Sequence, residues 1–324
     1  MKKIKILDCT LRDGGYVNNW NFGKENIKSI IKELADANVD YIECGFLKDM
    51  QYNLESSLFS IPNDILNITK PSKHKFMLMI NYGEYPIGKI PSNSNIIFRI
   101  AFKKNDFDKA LEYCKEVKNK NNDICINPMY TNTYSTSELL NLINIANEIK
   151  PLIFTIVDSS GGMQEEELLT TYYLINDNLD KDIAIGFHSH NNLKLSFSNA
   201  QKLIKICNKR ELVIDSTAFG IGRAAGNLCT EVITKYLNDN YNSKYNLLPI
   251  LKIVEEQINP IFKITPWGYS VPYYLAALNF CHPSYAKYLN DKKISVNTID
   301  RILKQIPNNK KNWFDENFIK ALID

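Results

Sequence analysis

What most restricts the folding of this chain is an alternation repeated eight times over its first 240 residues. Short apolar, β-like runs fall at residues 3–9, 39–46, 76–81, 95–102, 124–127, 152–157, 183–185 and 212–214. Each but the third is followed by a segment whose apolar residues recur with helical spacing. After the first run these are Ile27, Ile30, Ile31, Leu34 and Ala35, which mark one helix face. Helices are expected from Gly23 on through these residues, more weakly at 56–68, and at 107–117, 164–177, 193–207 and 224–238. Another opens on Ser135-x-x-Glu138, a capping-box pattern. Strand-then-helix units in series, with no hairpin signal between them, predict a parallel sheet. Eight such units predict closure into a (β/α)8 TIM barrel over residues 1–244; an open doubly wound sheet uses the same alternation with fewer units. From about Tyr245 the alternation stops, and 245–324 reads as a helical C-terminal extension. Helices are expected there at 247–262, 271–280 and 298–306, separated by prolines at 260, 266, 272, 283 and 307.

In a closed barrel the carboxyl ends of all strands meet at one mouth, where active sites of this architecture lie. The polar residues that interrupt the apolar runs cluster at those ends: Asp8 to Asp13, Glu43, Asn81, Asn127, Asp158, His188 and His190. His188 and His190 stand two apart at the end of an extended run, so their side chains point the same way. Two imidazoles on one side can share a metal ion if a carboxylate arrives from elsewhere. Taken alone, His-x-His is equally compatible with one core histidine and one exposed one, and Asp13-Gly14-Gly15 with a plain turn.

Composition narrows the classes. The 324 residues are 44% hydrophobic and 23% charged, with a net charge of +3 spread along the chain. Neither nucleic acid nor a membrane surface is expected as a partner. Seven scattered cysteines with no Cys-x-x-Cys predict reduced, buried thiols in a cytoplasmic protein. No leader pattern is expected at Met1-Lys2-Lys3-Ile4, and no apolar run reaches spanning length.

Asp8-Cys9-Thr10-Leu11-Arg12-Asp13-Gly14-Gly15 and His188-Ser189-His190-Asn191 resemble the motifs of the DRE-TIM metallolyases, a group that includes HMG-CoA lyases and 4-hydroxy-2-oxoacid aldolases. Ile42-Glu43-Cys44-Gly45-Phe46, Val157-Asp158-Ser159 and Gly220-Ile221-Gly222-Arg223-Ala224-Ala225-Gly226-Asn227 add to the resemblance, which spans about residues 4–235. It implies Asp13, His188 and His190 as metal ligands with Asn227 as a fourth; Asp8 is the reserve. It implies Arg12 as the stabiliser of an enolate oxygen, with Glu43 orienting it. Asp158 is implied to position substrate, with helix capping as its alternative. Asn191 and Gly222 are the expected substrate-binding positions. Such a ligand set suits Mn²⁺ or Mg²⁺ best, with Zn²⁺ or Co²⁺ also fitting. The implied reaction is aldol cleavage or addition on an α-keto acid and an aldehyde, through a pyruvate-type enolate. Claisen synthases using an acyl-CoA, and a catalytically silent barrel, are the alternatives. A homodimer with the aromatic tail as interface is compatible with the sequence.

The chain departs from the aldolases at Tyr16, where they carry a histidine base. A phenol with a reference pKa of about 10 is a poor base, and Tyr16 reads equally as a packing residue. His282 and the tyrosines at 269, 273 and 274 could supply a proton-transfer group if the tail covers the mouth. Other motifs are weaker. Gly220-x-Gly222-x-x-Ala225 fits a dinucleotide loop only loosely, and follows the last strand instead of opening a βαβ unit. Its glycines are expected to permit a tight turn whose N–H groups meet a substrate anion. Gly83-x-x-x-x-Gly88-Lys89 lacks the Ser or Thr of a P-loop. Lys103 and Lys104 lie past a strand end, which speaks against a Schiff-base lysine, and there is no Gly-x-Ser-x-Gly elbow.

Overall fold

The computed structural model describes residues 3–68 and 74–323. Nine strands are present among them: β1 (Ile4–Asp8), β2 (Tyr41–Leu47), β3 (Leu58–Phe59), β4 (Lys75–Asn81), β5 (Ile97–Phe102), β6 (Ile124–Pro128), β7 (Ile153–Asp158), β8 (Ala184–Ser189) and β9 (Leu212–Ser216). All pair in parallel, and β1 pairs with both β2 and β9, so the sheet closes on itself. The barrel uses eight strands; β3 is a two-residue addition to the outer end of β2. The architecture is the expected (β/α)8 TIM barrel with C-terminal helices.

Side chains on the strands alternate between the surrounding helices and the barrel interior. The interior is layered in consequence. Leu7, Tyr41, Met77, Ile97, Cys125, Ile153, Ala184 and Val213 form an apolar layer toward the closed end. One step along the strands the layer turns ionic, with Glu43, Arg99 and Asp215 all essentially inaccessible to solvent. A further step brings Met79, Ala101, Asn127, Val157 and His188 to the wall of an open cleft. The helix Lys24–Asp36 buries Ile27, Ile30, Ile31 and Leu34 against the outside of the barrel, as its spacing predicts. The helix Thr136–Ile149 carries the capping box: Ser135 Oγ accepts from Glu138 N at 3.3 Å, and Glu138 Oε2 from Ser135 N at 2.7 Å.

Three local expectations change. The segment at 56–68 holds β3 and a 3₁₀ turn, Pro62–Asn67, in place of an α-helix. Three oxygens and nitrogens of Ser60 and Ile61 bond Asp64 Oδ2, which closes a tight turn there. The last barrel helix begins at Thr230, not near 224, because the loop before it holds Ala224 at φ +60° and Gly226 at φ +79°, outside helical geometry. Two of the tail prolines start helices instead of separating them: Pro272 in Val271–Leu278 and Pro283 in Pro283–Asp291. Proline is tolerated in a first turn, where its missing N–H has no partner to lose.

The barrel's apolar core continues through Ile250, Ile253 and Ile258 of the segment Leu247–Ile264. A second core assembles Ala276, Tyr285, Leu289, Ile299, Leu303 and Ile319 from the helices that follow. All seven cysteines are free, and no described helix is long and apolar enough to cross a membrane.

Candidate metal centre and active-site cleft

The floor of the cleft is set by the first, seventh and eighth strand-to-helix connections. Asp13 sits in the helical turn Thr10–Asp13 directly after β1; His188 ends β8, and His190 follows it. A short antiparallel bridge between His190 and Asn227 draws the loop after β9 across to the histidines. One ligand atom from each of Asp13, His188 and His190 lies within 4.8 Å of the others, and all three residues are buried.

The hydrogen bonds around these groups leave donor atoms facing one another. Asn227 Nδ2 donates to Asp13 Oδ2 at 2.6 Å and to Ile221 O at 3.0 Å, which leaves Asn227 Oδ1 buried without a partner. His190 Nδ1 is likewise buried and unpartnered, 3.9 Å from Asp13 Oδ2. Burial pushes the His190 imidazole down to about 3, against the pull of Asp13, so it is a neutral ring with a lone pair to give. Burial would raise Asp13, but Arg12, the two histidines and Asn227 together hold its carboxyl below the usual carboxylate range. A carboxylate, two imidazoles and an amide oxygen, two of them with unsatisfied atoms, fit a divalent cation.

Behind this cluster runs a buried chain of charges. His188 Nδ1 lies 3.1 Å from Asp215 Oδ2, which accepts from Arg99 Nη2 at 2.7 Å. Arg99 Nη1 donates to Glu43 Oε2 at 3.0 Å, and the same oxygen accepts Arg12 Nε at 2.7 Å. Arg12 Nη1 returns to Asp13 Oδ1. Acceptance by Asp215 places the His188 proton on Nδ1 and leaves the Nε2 lone pair free. Burial opposes the charge on Arg12 and Arg99, yet the carboxylates beside them more than offset it, and both stay ionised.

A second grouping, Cys9, His188 and Asp215, also has metal-like spacing. Burial pushes the Cys9 thiol well above its ordinary range and its Sγ–H donates to Ser216 O at 3.3 Å, while Asp215 is taken by Arg99 and His188. That leaves no thiolate; the carboxylate oxygen nearest His188, Asp215 Oδ2, is taken, and only Asp215 Oδ1 stays without a partner.

Other expected site residues divide. Glu43 orients Arg12, as the sequence suggests. Tyr16 lines the cleft, 40% exposed, with its ring against Trp20 and Phe46. Gly222 provides room: a Cβ there would meet Asn227 Nδ2 at 2.2 Å and Asp13 Oδ2 at 2.9 Å. Asp8 turns away, accepting from Thr230 Oγ1 and Thr10 N, so it cannot serve as reserve ligand. Asp158 accepts from Ser160 Oγ, Gly162 N and Met163 N; its carboxylate holds a loop and is absent from the cleft wall. Asn191 is also off the wall, its Oδ1 directed at Ser196 N, and Asn192 instead ties the loops at Ser160 O and Ala225 N. The N–H groups of Gly220, Ile221, Ala225, Gly226 and Asn227 are engaged within the protein, so the glycine-rich loop places side chains and does not cradle an anion with those groups.

The tail closes one side of the cleft. His282 and Trp313 line it, whereas Tyr269, Tyr273 and Tyr274 do not. His282 Nε2 is 2.9 Å from Arg223 Nη1, and Lys103 Nζ lies 3.3 Å from the centre of the Trp313 ring. The cleft has a volume of about 340 Å³. Arg99, Asp215, Arg223, Lys103 and Trp313 were not anticipated. A lone charge inside an apolar strand, as in Ile97-Phe98-Arg99-Ile100 or Val213-Ile214-Asp215, is the signal that marks the first two.

Comparison with known proteins gives the family. The family model described as HMGL-like matches residues 3–256. The chain belongs to the HMGL-like family. Curated relatives include the 4-hydroxy-2-oxovalerate aldolases of Bacillus cereus, 22% identical, and Geobacillus thermodenitrificans, 24% identical; each match covers 81% of this chain and 78% of the relative. Among solved structures, this HMGL-like chain is similar to the N-terminal domain of a Bacteroides vulgatus protein assigned as an aldolase. The TM-score is 0.77 at 26% identity, over 92% of this chain and 99% of that one. The fold is also that of the HMG-CoA lyase of Bacillus subtilis, with a TM-score of 0.63 at 15% identity, over 80% and 93% of the two chains. The HMGL-like chain is an enzyme, a carbon–carbon lyase.

Proposed function

We propose that this enzyme is a divalent-metal-dependent aldolase that makes or breaks a C–C bond next to an α-keto acid, in the manner of a 4-hydroxy-2-oxoacid aldolase. One observation carries the reading: Asp13, His188 and His190 converge at the cleft floor beside the unpartnered atoms His190 Nδ1 and Asn227 Oδ1. Asp13, His188, His190 and Asn227 would hold the ion, with Mn²⁺ or Mg²⁺ the best match to the donor set. When bound, the ion supplies Lewis acidity to the oxygens of a keto acid, favouring a pyruvate-type enolate.

The chain's own residues do the rest. Arg12 lines the cleft as a permanently charged guanidinium, fixed between Glu43 and Asp13, and stabilises the negative charge that develops on the keto oxygen. Its rigidity matters, because a donor already in place costs no reorganisation as charge develops. Tyr16 works as an acid: desolvation in the cleft raises its phenol, with Arg223 opposing, so at neutral pH its Oη carries a proton to give to an alkoxide. His282 is neutral, since burial and then Arg223 and His190 push its imidazole well below the usual range. Its Nε2 faces Arg223 Nη1 and its Nδ1 accepts from Ser284 N, so it holds the tail against the cleft instead of taking a substrate proton.

The test is incubation of protein and Mn²⁺ with pyruvate in D₂O. Deuterium entering the methyl group, lost on adding chelator, supports enolate formation. Release of thiol from acetyl-CoA without exchange into pyruvate would support an acyl-CoA synthase and overturn the reading.

A further inference from the structure

The buried arginines of this protein are each matched by carboxylates or by main-chain carbonyls, although Arg99 Nε has no acceptor of its own. Arg12 and Arg99 share Glu43 and reach Asp13 and Asp215, and Arg210 donates to four main-chain carbonyls and to Asn176 Oδ1. Arg223 differs. It is half-buried in the cleft wall, one residue from Gly222 and so beside Asp13 and Asn227. Its Nε is buried with no acceptor, and among the described residues no carboxylate oxygen comes within 4.0 Å of its nitrogens. The contacts it does make are with Nε2 of neutral His282 at 2.9 Å and the Tyr16 ring, 5.4 Å from the guanidinium carbon.

Lys103 repeats the pattern on the other side of the tail. It lines the same cleft, rests on the Trp313 ring, and has no carboxylate partner within the same distance among the described residues. The acids of the cleft wall do not supply the missing charge. Asp13 is held by Arg12 and Asn227, Glu84 pairs with Lys48 at 3.1 Å, and the Asp106 carboxylate, which makes no side-chain cap, comes within 4.0 Å of neither Arg223 nor Lys103. A guanidinium carried into a cleft without a counter-charge is costly unless a ligand brings one, and its planar fork matches a carboxylate or phosphate in particular.

We infer that Arg223, seconded by Lys103, forms an anion subsite facing the metal centre, and that the aldehyde partner of the reaction is a short chain carrying its own carboxylate or phosphate. The inference rests on the aldolase reading and deepens it. The keto acid takes the position at Asp13, His188 and His190, and the acceptor approaches from the side closed by the tail. The volume of about 340 Å³ is near the low end for small-molecule sites and suits two short reactants.

The experiment compares propanal, succinic semialdehyde and glyceraldehyde 3-phosphate as acceptors for pyruvate with Mn²⁺-loaded full-length enzyme. The expected result is a KM for at least one anionic aldehyde about tenfold or more below that of propanal. Arg223→Ala should raise that KM about 10- to 100-fold, the range for one charge-assisted hydrogen-bonded contact, and Arg223→Lys should restore part of it. Whichever anionic aldehyde responds identifies carboxylate or phosphate as the group recognised. Three results overturn the inference: preference for propanal, an equal loss on all aldehydes in Arg223→Ala (the arginine then only latches the tail), or a raised KM for pyruvate in deuterium exchange (it then holds the keto acid). Calorimetric titration with succinate and inorganic phosphate separates the two readings. Anion binding that needs Arg223, in a protein with no exchange activity, supports the subsite and sinks the aldolase; exchange without such binding or aldehyde preference does the reverse.

Discussion

Asp215 Oδ2 stands between His188 Nδ1, at 3.1 Å, and Arg99 Nη2, at 2.7 Å, so one carboxylate oxygen fixes the tautomer of an expected metal ligand and neutralises a buried cation. Burial would raise Asp215, but Arg99 and then His188 hold it below the usual carboxylate range. This arrangement makes the orientation of His188 depend on a residue outside the Asp13, His188 and His190 cluster.

Asp215→Asn keeps the shape and removes the charge. Its amide can present an N–H to His188, which moves the imidazole proton toward the ligand side. Mn²⁺ affinity, followed by calorimetry, should fall about 10- to 100-fold. An unchanged affinity would show that His188 does not depend on this contact.

Arg99→Met leaves Glu43 and Asp215 buried with their shared partner gone. The variant should lose about 3–5 kcal/mol in urea unfolding. Replacing all three charges together, Arg99→Met with Glu43→Gln and Asp215→Asn, should recover part of that loss. A triple variant as unstable as the single one would show that size, not charge, governs the layer.

Arg12→Lys preserves charge but cannot reach both Glu43 and Asp13 as a fork. Turnover with pyruvate and an aldehyde should drop about 10²- to 10³-fold, the scale of one lost oxyanion donor. Circular dichroism should be unaltered. Retention of most activity would remove Arg12 from the chemistry.

Gly222→Ala tests the packing of the ligand set. The added methyl falls on Asn227 Nδ2 and Asp13 Oδ2, so metal binding should be lost. The loop has the barrel behind it, and the melting temperature without metal should change little. Normal metal binding in this variant would mean that Asn227 moves aside freely and is not a ligand.

Asp8 offers a pH test away from the ligands. Burial raises its carboxyl to about 6, although Thr230 and Thr10 hydrogen-bond the ionised form. A carboxyl raised on folding stabilises the fold fully below its unfolded value, and that contribution is lost as pH climbs through the folded one. Between pH 4 and 7 the loss is about 2 kcal/mol. Asp8→Asn should therefore show a smaller decline in urea midpoint over this range than the natural protein. Parallel curves for the two proteins would place the titration elsewhere.

The order of elements was legible because it is written in neighbouring residues: period 2 or 3.6, and caps such as Ser135 with Glu138. Alternation along a strand also put His188 and His190 on one side before any contact was known. The closed barrel then explains why Asp13 can meet them. What stayed hidden were partnerships between distant positions. Arg99 and Asp215 are 116 residues apart, and Arg223 and His282 are 59 apart; nothing local to either member names the other. Asp158, Asn191 and Asn192 show the same limit at short range, since loop closure turned all three to holding loops and none to the cleft wall. Local sequence determined the elements, through torsional preference and apolar spacing. Only the tertiary structure decided which charges share a dry interior and which, like that of Arg223, were left without a counter-charge. Electrostatic pairing depends on distance in space, which chain order does not record.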